Sequence, residues 1–267
     1  MRIALVADSH LAARAPECVA NWRHAGSAAA AWQAELAIHL GDISLDGQAA
    51  PDELAFAAGL IAQWPTPMRC VPGNHDMGIG CGEQPIDDHK LAACEAAFGP
   101  GGWATSVDAW RLIGLNAQLL GSGSDAEERQ WRWLERHVLS ESAAHTALFL
   151  HRPLVRPAHD ERMKTGRYVP DAARERLLGG PLRATLRAVF SGHVHQALDR
   201  EVDGVRHVWL PSTGFVLPDA IQPRVGEKLV GLGLLELDGP RLRYDLLCPD
   251  GMRRHDAAGL SFWGELH

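Results

Sequence analysis

Five short polar clusters follow one another through the chain: Asp8-Ser9-His10, Gly41-Asp42, Gly73-Asn74-His75-Asp76, His151 and Gly192-His193-Val194-His195. Carboxylates, imidazoles and a carboxamide without any thiolate form a mixed oxygen and nitrogen donor set. Such a set suits Mn, Fe, Zn or Co, whereas Ca or Mg is usually held mostly by oxygen. The clusters supply seven candidate ligands, too many for one ion that must keep a position open for water and substrate. Two ions sharing one carboxylate use all of them. A cation pair lowers the pKa of a bound water and neutralises phosphoryl charge during in-line attack, so the chemistry indicated is two-metal hydrolysis.

These side chains are far apart in sequence, and strands must bring them together. Apolar runs precede them, residues 3–7 before Asp8 and residues 147–150 before His151, and such runs read as buried strands. The polar residues then fall at strand carboxyl ends, the edge at which open α/β sheets bind ligands. Helices are expected over residues 27–36, which are rich in Ala, and over 51–64, where Asp52 and Glu53 suit the positive end of the helix dipole. Pro65 and Pro67 stop the latter before a strand at 68–71. A Gly-rich stretch, 78–82, reads as a candidate substrate gate beside His75 and leads to a helix at 87–98. Ser124 and Glu127 have capping-box spacing and open a Trp-rich helix ending near Leu139. A charged surface excursion is expected from Arg156 through Tyr168. The stretch 198–247 reads as strands separated by the turn pairs Asp203-Gly204 and Asp238-Gly239.

The order D-x-H, G-D, G-N-H-D, a lone His and G-H-x-H resembles that of the calcineurin-like metallophosphoesterase superfamily, over most of the chain from Arg2 to about Leu247. Within it the chain is most similar to the branch of class III cyclic-nucleotide phosphodiesterases and glycerophosphodiesterases, through Gln130-Trp131-Arg132-Trp133-Leu134 and Trp209-Leu210-Pro211-Ser212-Thr213-Gly214-Phe215. The resemblance implies an α/β fold, a four-layer α-β-β-α sandwich with two mixed β-sheets flanked by helices. It also implies that Asp8, His10, Asp42 and His195 hold one metal and that Asp42, Asn74, His151 and His193 hold the other, with Asp42 as the bridge. His75 then sits beside the phosphate and either protonates the leaving oxygen or stabilises charge, with Asp76 as its orienting partner. Asn74, His75 and Arg152 form the substrate-binding set. Relatives often carry His-His-Pro-Pro where this chain has His151-Arg152-Pro153-Leu154, so Arg152 either grips a phosphate oxygen or turns into solvent. The activity implied is hydrolysis of a small phosphodiester, a 3′,5′-cyclic nucleotide or a glycerophosphodiester. Phosphomonoesterase, nuclease and a non-catalytic scaffold are the alternatives, and a homodimer is a further implication.

Taken singly, each cluster has an ordinary explanation, because Gly-Asp is common turn chemistry and a lone His is usually solvated or hydrogen-bonded. Five in order carry the assignment. His24, His39, His89, His137, His145, His159, His207, His255 and His267 match no motif and read as solvated or locally bonded, with His39 structural. Trp131 and Leu134 have the spacing of core residues.

No P-loop and no Gly-x-Ser-x-Gly elbow occurs, which removes the usual signals of nucleotide-triphosphate motors and serine hydrolases. Cys18, Cys70, Cys81, Cys94 and Cys248 show no paired spacing and read as free thiols in a reducing compartment, with Cys81 the one to watch. A net charge of −7 disfavours nucleic acid as a partner, since that binding needs a basic surface. With 267 residues and 46% hydrophobic content, the chain can bury a large core as one domain. No secretory or membrane-spanning segment is evident, so the expectation is a soluble cytoplasmic protein. The tail, 249–267, has no assigned structure, and Phe262-Trp263 either pack back or cover a partner.

Overall fold

Strands buried on both faces need apolar side chains at every position, and side chains alternate between faces along a strand. Strand β1 (Arg2–Val6) shows the consequence: Ile3 and Leu5 join the core between two sheets, while Ala4 and Val6 face a helical layer. A computed structural model describes residues 1–80, 86–140, 143–156 and 165–265. Cys81, His159, His267 and parts of the 78–82 stretch and the 156–168 excursion lie outside the described residues.

Strand β2 (Leu36–Leu40) pairs parallel to β1, and β3 (Met68–Val71) pairs parallel to β2. The second sheet comprises β4 (Trp103–Val107), β5 (Trp110–Gly114), β6 (His145–Leu150), β7 (Leu186–Ser191), β8 (Leu198–Val202) and β9 (Val205–Trp209), in the order β4-β5-β6-β7-β9-β8. Strands β10 (Leu232–Asp238) and β11 (Arg241–Leu247) return antiparallel to the first sheet, giving β11-β10-β1-β2-β3. Both sheets are mixed. Between them lies an apolar layer in which Phe149 and Phe190 stack at 5.2 Å.

Helices α1 (Pro16–Ala31) and α2 (Pro51–Ala62) cover the first sheet through Trp22, Ala25, Ala29 and Ala57. After α3 (Asn74–Met77) and α4 (Asp88–Phe98), helices α5 (Asp125–Ser140) and α6 (Asp171–Gly179) cover the second through Trp131, Leu134, Ala173 and Leu177. The result is the four-layer sandwich.

The helix expected at 27–36 instead runs Pro16–Ala31. Pro16, with fixed φ and no N–H to leave unpaired, opens it, and Gln33, at φ 59°, ends it before β2. Ser124 Oγ accepts from Glu127 N at 3.2 Å as its spacing requires, but the Glu127 carboxylate receives Gly121 N and Gly123 N in place of the cap's own amide. Asp203 and Gly204 have φ of 51° and 73°, the paired left-handed geometry of a tight hairpin between β8 and β9. The tail packs back: Asp256 bridges Val216, and Phe262 is buried. No helix among the described residues is long and apolar enough to cross a membrane.

Candidate metal centre

Every cluster lies just past the carboxyl end of its strand, and the backbone ties each loop to the next. Asp8 N donates to Gly41 O, His10 N to Asp42 O and Gly192 N to His151 O, each at 3.0 Å. The Asp8 carboxylate accepts His193 N at 3.0 Å with both oxygens. The first sheet therefore presents Asp8, His10, Asp42 and Asn74, and the second presents His151, His193 and His195.

Two groups of donor atoms result, each within 4.8 Å: Asp8, His10, Asp42 and His195, and Asp42, His151 and His193. Asp42 belongs to both. Its Oδ2 lies 3.9 Å from His10 Nε2 and 3.2 Å from His151 Nε2, while Oδ1 accepts His75 N at 2.9 Å. Across the first group, His10 Nε2 and His195 Nε2 approach to 3.2 Å.

Backbone carbonyls fix several imidazoles. A carbonyl oxygen can only accept, so His151 Nδ1 must donate to Leu40 O (2.6 Å) and His195 Nδ1 to Phe215 O (2.8 Å). With Nδ1 so committed, Nε2 of each ring points into the site, where it would bind a metal once free of its proton. Burial, reinforced by neighbouring imidazoles, holds His10 and His193 well below the usual histidine range, and burial takes His195 to about 4. These rings are neutral donors near pH 7. Burial also pulls on His151, but Asp42 outweighs it and raises the ring to about 9. Asp42 is held well below the carboxylate range by His151 and His75 despite its burial, whereas burial drives Asp8 up.

Asn74 Oδ1 is buried with no hydrogen-bond partner. An isolated carboxamide oxygen there is a costly vacancy in an otherwise tightly bonded region, and a cation satisfies it. Together with two carboxylates facing four imidazoles, this donor set fits a pair of metal ions.

The backbone is strained where the ligands sit. Among the described residues eight non-glycine residues have positive φ, and five of these are candidate ligands: Asp8 (52°), His10 (47°), Asp42 (51°), His193 (69°) and His195 (49°). Asp and His tolerate this region better than most residues, but each such position still costs on the order of 1 kcal/mol. Gly41 is also left-handed at 87°, and a Cβ there would lie 2.6 Å from His151 Nδ1. Gly41→Ala is therefore expected to dislodge His151 and weaken metal binding by about tenfold or more, as read by metal content after dialysis.

Two sequence expectations need correction. Asp76 does not orient His75; the Leu45 carbonyl accepts His75 Nδ1 at 2.7 Å. The Asp76 carboxylate instead receives Ile43 N, Ser44 N, Ser44 Oγ and Gly73 N at 2.7–3.2 Å. It laces the second motif loop to the third, because three amides at a loop junction need an acceptor that only a carboxylate reaching back can provide. Asp76→Ala leaves those amides buried and unpaired at about 1–3 kcal/mol each, so a large fall in melting temperature is expected by calorimetry. Arg152, for its part, does not turn into solvent. Its side chain is fully buried, and Nη2 donates to Ala117 O (2.5 Å) and Leu120 O (3.2 Å). The guanidinium thus braces the loop after β5, which is where its buried charge finds acceptors.

His39 is structural as expected, bonded to Ser9 Oγ at 2.8 Å and held neutral by burial at about 3. The roles of Leu45 O and Phe215 were not anticipated. A backbone carbonyl leaves no trace in residue type, and Phe215 was visible as part of a motif without a task.

The calcineurin-like phosphoesterase superfamily domain model matches residues 1–217, and the chain belongs to that family, the metal-dependent phosphoric ester hydrolases. It is 28% identical over 227 residues to the 3′,5′-cyclic adenosine monophosphate phosphodiesterase CpdA of Escherichia coli (strain K12), covering 80% of this chain and 76% of that protein. A dimetal phosphatase from Danio rerio superposes with TM-score 0.64 at 15% identity, over 92% of this chain and 95% of that one. GAP50, described as the anchor in the inner membrane complex of Plasmodium, superposes with TM-score 0.65 at 14% identity, over 95% and 86%. These two likenesses establish the fold.

Proposed function

We propose that the chain is a two-metal phosphodiesterase acting on a small diester, with a 3′,5′-cyclic nucleotide ahead of a glycerophosphodiester. Asp8, His10, Asp42 and His195 would hold one ion, and Asp42, Asn74, His151 and His193 the other. When bound, Mn, Fe, Zn or Co ions supply phosphoryl charge neutralisation and an acidified water.

The observation that carries the diester reading is the placement of His75. Its ring meets His10 edge-on at 4.8 Å, and its Nδ1 is committed to Leu45 O. The Nε2 end is left toward the substrate, and in the imidazolium form it would deliver its proton to an alkoxide leaving group such as an alkyl diester presents, leaving the neutral Nδ1–H ring. Similarity to a cyclic AMP phosphodiesterase supports the same substrate class. A fold shared with an anchor protein does not favour a scaffold here, because the full donor set is in place. A cyclic nucleotide would be met in the cytoplasm, and the free thiols Cys18, Cys70, Cys94 and Cys248 suit a reducing compartment.

The test is turnover of Mn-reconstituted protein on 3′,5′-cyclic AMP, a glycerophosphodiester and a phosphomonoester at matched concentration. Preference for either diester upholds the reading and names its branch. Monoester preference moves the chain to the phosphatases, and no turnover on any of the three overturns the proposal.

A further inference from the structure

His10 differs from His151 and His195 in how it is held. His151 and His195 each donate Nδ1–H to a backbone carbonyl, the usual way of fixing a metal-binding imidazole. His10 Nδ1 is buried with no hydrogen-bond partner. What the His10 ring has is packing against other rings: His75 edge-on, His195, and Phe215 on the side of the tail. Phe215 lies over it at 4.7 Å and 35°, and covers His195 as well at 4.9 Å.

Phe215 is supported in turn from the far end of the chain. Phe262 lies 5.9 Å away and Trp263 6.0 Å away, edge-on at 76°. These side chains share a separate apolar cluster with Ala257, Leu260 and Leu45, the residue whose carbonyl holds His75. The tail is anchored there by its backbone, with Val216 N donating to His255 O and Ala257 N to Val216 O, each at 2.9 Å. Phe262 is buried while Trp263 is partly exposed. The tail thus backs one half of the metal centre, the half that contains His10 and His195, and none of its described residues belongs to the donor group of Asp42, His151 and His193.

We propose that Phe262, with Trp263, is a positioning residue for the Asp8, His10, Asp42 and His195 site: it holds Phe215 against His10 and so replaces the hydrogen bond that this ligand lacks. The tail is therefore a working part of the metal centre, and its loss loosens one metal position more than the other. A close-packed aromatic contact can do this because a buried ring without a partner at Nδ1 can otherwise swing about its χ angles, and packing is then what confines it.

This inference rests on the two-metal reading above, and the experiment separates them. Co²⁺ is titrated into metal-free full-length protein and into Phe262→Ala, with bound metal measured by equilibrium dialysis and the visible Co²⁺ bands recorded. The parent is expected to take up two equivalents. In Phe262→Ala one equivalent weakens by about tenfold or more with altered bands, and the other binds as before. Phe262→Leu, which refills the space, is expected to recover most of the loss. Trp263→Ala, at a partly exposed position, is expected to show a smaller loss confined to the same equivalent, and it serves if Phe262→Ala does not fold. Identical binding of both equivalents in parent and variants overturns the role of the tail alone. Equal weakening of both, in step with a lower melting temperature, overturns it too, because a general loosening would then explain the result. A parent that binds no metal defeats the two-metal reading itself.

Discussion

Asp42→Ala is expected to abolish turnover and metal uptake together. Asp42 is the one carboxylate in both donor groups, with Oδ2 3.2 Å from His151 Nε2 and 3.9 Å from His10 Nε2. Its removal takes a donor from each metal position and leaves Asp8 as the one carboxylate among the remaining imidazoles, with none in the group around His151. Residues that merely orient a metal ligand cost about 10–100-fold in affinity when removed; loss of a shared ligand must cost more. The fold should survive, because His151 keeps Leu40 O and the neighbouring loops keep their backbone bonds. Metal content after dialysis, measured beside turnover on the same sample, checks this. Normal hydrolysis in the variant would falsify the bridging role.

His75→Ala is expected to separate the two quantities. Both metals should remain bound, since His75 belongs to neither donor group. Turnover of an alkyl diester should fall by about 10²–10⁴-fold, the range for a lost general acid. The loss should shrink for a substrate with an aryloxide leaving group, which departs without a proton. A loss of equal size for alkyl and aryl substrates would show that His75 grips phosphate and does not donate a proton.

Much of the centre was legible because metal chemistry restricts residue types and strand ends fix location. Asp8, His10, Asp42, His151, His193 and His195 all reach the two donor groups. Roles carried by the backbone were not legible. The Leu45 carbonyl does what Asp76 was expected to do, and any residue could have supplied it. Asp76 was misread because a carboxylate beside an imidazole in sequence suggests a pair, whereas the turn of α3 sends it back to Gly73 N and across to Ile43 and Ser44. The burial of Arg152 was not legible because a buried guanidinium is rare and depends on carbonyls, here Ala117 and Leu120, that only the folded loop presents. The strands and the hairpin at Asp203-Gly204 followed from alternation and turn chemistry. The start of α1 did not, since Pro16 marks a helix opening only if the residues after it bury a face.

Neither sheet owns the site. Asp8, His10, Asp42 and Asn74 leave the first sheet and His151, His193 and His195 the second, so each donor group spans the interface between them. During folding, a chain that has built one sheet and not the other has neither donor group complete; Asp8 must wait for residues 185 positions later to dock, as His193 N does on its carboxylate. Full metal affinity is thus withheld until the long-range contacts, the slowest kind to form, are complete. Once bound, ions resist separation of the two halves, because binding free energy available only to the docked state adds to that state's stability. Catalytic competence and closure of the sandwich become a single equilibrium.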